Sequence, residues 1–129
     1  MLFRSFEPHT HEKDPQPAPL VAMIRTLNQA SDADFPRAMA EYLDLERFLT
    51  HVAVENFVAE TDGILGDLYG MANFYLYRFE RKNLFQFIAW DKDATFSWSE
   101  RPIFDHAGDN VLVRRALAVP GMRDRKSVV

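Results

Sequence analysis

Asn73-Phe-Tyr-Leu-Tyr-Arg-Phe79, Glu80-Arg-Lys-Asn83, Leu84-Phe-Gln-Phe-Ile-Ala-Trp90 and Asp91-Lys92-Asp93 follow one another without a gap, and their reading decides the fold. The first and third runs are rich in the aromatic and aliphatic residues that suit a pleated, half-buried surface. The polar run between them carries a turn-prone Asn, so the stretch predicts a β-hairpin with a four-residue loop. Two carboxylates then appear abruptly after Trp90. A rigid strand ending in Asp-x-Asp holds anionic oxygens in place, which is what Mg²⁺ or Ca²⁺ requires.

Composition bounds the rest. A chain of 129 residues suffices for one small domain. It is 47% hydrophobic and 26% charged, the balance of a globular chain and not of a disordered one. Eleven Phe, four Tyr and two Trp supply large buried area per residue. The net charge of -4 gives no electrostatic case for nucleic acid, which favours a basic face. The absence of Cys excludes disulfides, thiolate metal sites and a Cys nucleophile, and leaves the compartment open. No run approaches the ~18 apolar residues of a membrane span. Met1-Leu-Phe-Arg4 is followed by charges and prolines and does not read as a signal peptide.

Outward from the hairpin, residues 1–19 contain Pro8, Pro15, Pro17 and Pro19. They read as an extended linker, or as an arm lying on something outside this chain. His9 and His11 in it read as solvated. Leu20, Met23, Ile24 and Leu27 place one apolar stripe on a helix over 20–30. Phe35-Pro36 opens a short helix over 36–42. Asp44 is a plausible N-cap for a helix over 44–59, with Leu45, Phe48, Leu49, Val52, Ala53, Asn56 and Phe57 at helical spacing. Asn56 is expected to satisfy backbone groups near that helix's end. A Gly-rich, acidic loop with Gly63, Gly66, Gly70, Asp62 and Asp67 leads to the hairpin. It is no P-loop, because no Gly-Lys-Ser/Thr follows. Beyond the hairpin, Ala94-Thr-Phe-Ser-Trp98 is expected to pack back on the core. Asp109 or Asn110 would cap a last helix over 110–118, with Arg114 and Arg115 facing solvent. The final Asp124-Arg-Lys-Ser-Val-Val129 reads as the in-frame translation of a sequencing adapter, or else as an ordinary basic tail. With the charged, Pro-rich opening, this suggests a fragment of a longer protein.

The order of chemical types is that of a protein kinase. There, a catalytic-loop Asp accepts the substrate hydroxyl proton, and a downstream Asn and a second Asp hold the Mg²⁺ that bridges the ATP phosphates. Here Asp62, Asn73 and Asp91 stand in that order. Eleven positions separate Asp62 from Asn73, against about five in the usual kinase loop, and Asp91 is followed by Lys-Asp instead of Phe-Gly.

The local wording says more. Tyr42-Leu-Asp-Leu-Glu-Arg-Phe48, Glu55-Asn56, Asp62-Gly63, Asn73-Phe-Tyr-Leu-Tyr77, Trp90-Asp91-Lys92-Asp93 and Asn110-Val-Leu112 together resemble the bacterial spore-coat CotH kinase family. The resemblance covers about Pro36 to Arg123. It implies an atypical kinase-like fold and transfer of phosphate from ATP to Ser/Thr of coat or surface proteins. It also implies a secreted, cell-surface or spore-coat location. It assigns Asp62 as the catalytic Asp, Asn73 and Asp91 as ligands of Mg²⁺ or Mn²⁺, and Asp93 as an auxiliary metal ligand.

Each assignment has a plainer counterpart. Asp62-Gly63 is good turn chemistry, Asn73 could cap a loop, and Asp91 could pair with Lys92 or Arg78. Trp90 reads as a core residue. Lys92 reads as solvated, because alternation points it away from Asp91 and Asp93. A kinase also needs a Gly-rich cover over the phosphates and a Lys paired with a helix Glu. The only Lys upstream of Asp62 is Lys13, in the arm, so the nucleotide-binding lobe is expected to lie outside this chain.

The expected fold is α+β. Helices pack on the antiparallel hairpin as a partial catalytic lobe over 20–123, and an apolar face is left exposed where the missing lobe would sit. The competing function is a non-catalytic structural or adhesive domain of a spore coat or secreted assembly. A metal-dependent hydrolase ranks third, for want of further His or carboxylate ligands.

Overall fold

Alternation along the hairpin sets the architecture. In the computed structural model β1 (Phe74–Phe79) pairs antiparallel with β2 (Leu84–Ala89), Phe74 lying opposite Ala89 and Phe79 opposite Leu84. The residues described are 6–66, 70–79, 81–96 and 98–123. The C-terminal run 124–129, Asp67, and Glu80 of the hairpin loop lie outside them. Among the described residues four helices join the hairpin in an α+β fold: α1 (Ala18–Gln29), α2 (Phe35–Met39), α3 (Leu45–Phe57) and α4 (Val111–Ala118).

One sheet face is packed. Phe85 and Phe87 are buried on it, and the Phe87 ring lies 5.0 Å from both Phe48 of α3 and Phe74 of β1. They join a core that includes Met23 and Leu27 of α1, Phe35 and Met39 of α2, Val52 of α3, and Leu112 and Val113 of α4. Each such side chain contributes about 1.5–3 kcal/mol relative to exposure. The opposite sheet face carries Tyr77, Phe79 and Ile88, with Trp90 just beyond β2, and all four are exposed. Those side chains follow from period-2 alternation in two strands that are apolar on both faces.

Local chemistry places the ends of the elements. The Asp44 carboxylate accepts from the Arg47 N–H at 3.0 Å and starts α3. Asn110, not Asp109, caps α4, its Oδ1 accepting from the N–H groups of Leu112 and Val113 at 3.0 and 3.1 Å. In the hairpin loop the Lys82 N–H donates to the Phe79 carbonyl, and Asn83 takes the left-handed φ of 51° that Asn tolerates. α1 begins two residues before Leu20, with Pro19 in its first turn. α2 ends at Met39, and the chain at Tyr42-Leu43 runs along the free edge of β2, where the Phe85 N–H donates to the Tyr42 carbonyl at 2.6 Å.

Several side chains lie elsewhere than periodicity suggests. Arg115 does not face solvent. Its guanidinium donates to the Leu27 and Ala30 carbonyls, meets Asp32 at 3.1 Å and lies 4.3 Å from the centre of the Phe35 ring. The cause is the C-terminus of α1, whose last carbonyls lack intrahelical donors. Asn56 donates to the Ile103 carbonyl, 47 positions away, and not near its own helix end. Phe57 is 74% exposed despite its place in the apolar pattern, and Phe96 and Trp98 are exposed instead of packed on the core. The N-terminal arm lies against this chain itself: the Phe6 ring meets Phe74, and His9 meets Tyr75 edge-on at 5.1 Å.

The Arg115 anchor is testable beside its neighbour. Arg115→Met leaves two carbonyls without a donor and should cost about 1–3 kcal/mol in chemical denaturation. Arg114→Met, whose side chain is exposed and donates to the Gly108 carbonyl, should stay within about 0.5 kcal/mol.

Candidate functional site

Three segments meet at one end of the hairpin. The Asn73 side-chain amide donates to Asp62 Oδ2 at 2.8 Å, joining the Gly-rich loop to the head of β1. The Asn73 carbonyl accepts from the Trp90 N–H at 3.2 Å, which brings the residue before Asp91 alongside. The Thr61 N–H and hydroxyl both donate to the Ala94 carbonyl, at 3.0 and 3.2 Å. The residues before Asp91 and after Asp93 are thus tied to Asn73, the partner of Asp62, and to Thr61, its neighbour in the chain. A groove between the N-terminal arm and β1 is lined in part by Asn73, Phe74 and Tyr75.

Backbone strain gathers here. Ala59, Asn73, Asp91 and Phe96 have φ of 51°, 52°, 49° and 60°. Asn and Asp visit this left-handed region readily. For Ala and Phe it costs about 1–2 kcal/mol each. Such conformations persist only where the surroundings over-determine them, and they cluster at functional sites.

The surroundings are buried polar groups. Glu60 is buried, and its Oε1 accepts from the Asp62 N–H at 2.8 Å. The buried Arg101 guanidinium donates to the Glu60 and Leu65 carbonyls, strapping the first half of the loop. Glu55 of α3, 6% exposed, accepts from the Ile64 N–H through Oε2 at 2.9 Å. Its Oε1 meets His51 at 3.0 Å and Lys92 Nζ at 2.7 Å. The loop approaches this carboxylate so closely that a Cβ on Gly63 would lie 2.7 Å from Oε2. A Cβ there would force the Glu55 and Glu60 side chains to shift.

The two expectations for Trp90 and Lys92 are reversed. Lys92 is not solvated: it turns inward to Glu55, because a buried carboxylate needs a cation. Asp91 and Asp93 on either side of it stay exposed, as alternation requires. Trp90 is not a core residue. It is 55% exposed, with its ring 5.0 Å from Tyr75 on the open sheet face.

Oxygen is the donor type available. Asp62 Oδ1 is buried and has no hydrogen-bond partner, while its other oxygen is held by Asn73. Among the described residues no three His, Cys, Asp or Glu side chains gather as a metal cage. Mg²⁺ does not need one, since one or two carboxylates with substrate phosphates commonly suffice. The Asn73 amide oxygen and the exposed carboxylates of Asp91 and Asp93 are oxygen donors of the kind that Mg²⁺ takes.

Sequence reasoning named Asp62, Asn73, Asp91 and Asp93 but missed Glu55, Glu60 and Arg101. The available signal was a carboxylate at Glu55, three residues after Val52 and seven after Phe48, on the buried stripe of α3. Burial opposes the Glu55 charge, but the bonds from His51, Lys92 and the Ile64 N–H outweigh it and hold the carboxyl below its ordinary range. Its stabilisation is therefore complete above its unfolded pKa and is lost as the pH falls through its lower folded value. Urea midpoints of the wild type should fall on acidification through and below the ordinary glutamate range. Glu55→Gln should be less stable at neutral pH and show a shallower acid limb.

Comparison with known proteins bears on the whole chain. The family model described as "CotH kinase protein" matches residues 4–127. "Inner spore coat protein H" of Bacillus subtilis (strain 168) is 31% identical over 101 residues, which is 74% of this chain and 26% of that protein. The chain thus spans about a quarter of the length of this curated relative. No solved structure gives a significant match. With a family model covering nearly every residue, including all four candidate site positions, the chain belongs to the CotH kinase protein family.

Proposed function

We propose that this chain is part of a Mg-ATP-dependent phosphotransferase of the CotH type, acting on Ser/Thr hydroxyls of coat or surface proteins. The observation that carries this reading is the Asp62 carboxylate. One oxygen is pinned by Asn73, the other is buried without a partner, and the loop bearing Asp91 and Asp93 lies alongside. In this reading Asp62 Oδ1 takes the proton of the attacking hydroxyl, and Asn73 holds the carboxylate in orientation for it. Asn73, Asp91 and Asp93 would hold Mg²⁺ or Mn²⁺, which when bound neutralises phosphate charge during transfer. Phosphoryl transfer needs positioning and charge neutralisation more than covalent chemistry, so a small constellation on a rigid support is adequate.

The kinase-like fold is part of the same proposal. So is a spore-coat location, supported by the relative's name as an inner spore coat protein. No helix among the described residues is long and apolar enough to cross a membrane. The apolar outer face of the hairpin is where a nucleotide-binding lobe would rest, and the chain itself supplies no Gly-rich cover over phosphates. The alternative, a non-catalytic structural or adhesive coat domain, draws on the same relative's name.

Titration with Mn²⁺ in the presence of a non-hydrolysable ATP analogue separates the two readings. Asp91→Ala and Asn73→Ala should each weaken Mn²⁺ binding by roughly 10-fold or more. Unchanged binding in both would sink the kinase reading and leave the structural one. Incubated alone with Mg-ATP, the 129-residue chain should show no turnover. Robust autophosphorylation lost in Asp62→Ala would refute that expectation of an absent lobe.

A further inference from the structure

We propose that Glu55 is the positioning residue of the site: one buried carboxylate that sets the Asp62 loop and the Asp91–Asp93 loop relative to each other, with Lys92 as its tether. The proposal rests on the reading of Asp62, Asn73, Asp91 and Asp93 as the site, and goes beyond it by naming what holds those groups together.

The geometry points to this role in three ways. First, both oxygens of Glu55 are engaged, and by different segments. Oε2 accepts from the Ile64 N–H, two residues after Asp62, and Oε1 meets Lys92, between Asp91 and Asp93. The Glu55 side chain thus adds, from α3, to the direct link that Thr61 makes between the two loops at Ala94. Second, Glu55 sits on the rigid α3, with His51 one turn earlier bonding the same Oε1 at 3.0 Å. The carboxylate is thereby fixed from its own helix before either loop reaches it. Third, the loop is shaped to it. A Cβ on Gly63 would lie 2.7 Å from Oε2, so a side chain there would push the Glu55 carboxylate out of its present place.

Lys92 is turned inward while its neighbours are exposed, so it acts on the site through Glu55 and not by touching a phosphate. A Glu from a helix paired with a Lys from the end of a strand is the chemistry that a kinase uses to align its phosphate-binding parts. Here it joins the loop of the proposed base to the loop of the proposed metal ligands. Groups that orient metal ligands without touching the metal typically alter affinity by about 10–100-fold when removed.

The test pairs Mn²⁺ affinity with amide exchange, using thermal denaturation to confirm folding. Lys92→Met keeps the length of the side chain and removes its charge at a partly exposed position. It should weaken Mn²⁺ binding by about 10-fold and speed exchange at the Ile64 amide, which Lys92 does not contact. Glu55→Gln keeps an acceptor for the Ile64 N–H and should weaken Mn²⁺ by a similar factor. If Asp91→Ala weakens binding but Lys92→Met and Glu55→Gln do not, the proposal is overturned and the site reading survives. Unaltered Ile64 exchange in Lys92→Met likewise overturns it, because no coupling then passes through Glu55. If none of the three variants changes Mn²⁺ affinity, the site reading fails and this proposal fails with it.

Discussion

A charge buried on α3 governs this molecule. Removing the Glu55 carboxylate from water costs several kcal/mol unless its lone pairs and its charge are met. They are met from three directions: a histidine one helical turn back, a loop amide and a lysine beyond the hairpin. An apolar residue at this position would tolerate many loop arrangements. A carboxylate tolerates few, since losing one partner leaves the rest of the charge exposed to a low-dielectric interior. The same reasoning applies to Arg101, whose buried guanidinium collects carbonyls from Glu60 and Leu65 in the first half of the Gly-rich loop. Ile64 and Leu65 of that loop thereby become part of the interior, and the strained Ala59 is held beside Glu60.

The hairpin poses the opposite problem. A two-stranded sheet alone is marginal in water, and this one has apolar side chains on both faces. One face is covered by α3 through Phe48. The other leaves Tyr77, Phe79, Ile88 and Trp90 exposed, apart from the arm that reaches Tyr75 through His9. The rigid face therefore supports the end of the hairpin from which Asn73 and Asp91 depart. The open face remains an apolar surface rimmed by those polar groups, an arrangement typical of surfaces that receive another structure.

Local rules made much of this legible. The hairpin register, the four helices, the Asp44 cap and the choice of Asn at a left-handed turn all follow from residues within a few positions of each other. What was not legible depends on partners far along the chain. A charged Arg115 reads as solvent-facing, whereas the carbonyls that bind it lie 85 and 88 positions away. Lys92 was assigned to solvent by alternation alone. Alternation does place it opposite Asp91 and Asp93, but that opposite side contains a buried carboxylate. Trp90 and Phe96 were assigned to the core by hydrophobicity, which does not say whether a facing layer exists to cover them.

The candidate site shows why one chemical type can be read in two ways. Asn73 and Asp91 are residues that a left-handed backbone prefers, and at φ of 52° and 49° each satisfies that demand. Backbone geometry alone thus accounts for both identities and cannot argue for chemistry. Asp62 is different, because turn formation does not require a carboxylate whose Oδ1 is buried and unpartnered. That oxygen is disfavoured in the structure as it stands, by the cost of an unsatisfied buried acceptor, and a hydrogen-bond donor or a cation would satisfy it. The side chain that holds the opposite oxygen is Asn73, so the residue the backbone needs at the head of β1 also aims a carboxylate that keeps one buried, unpartnered oxygen. The case for function rests on that coincidence of roles, and not on the order of acidic residues along the chain.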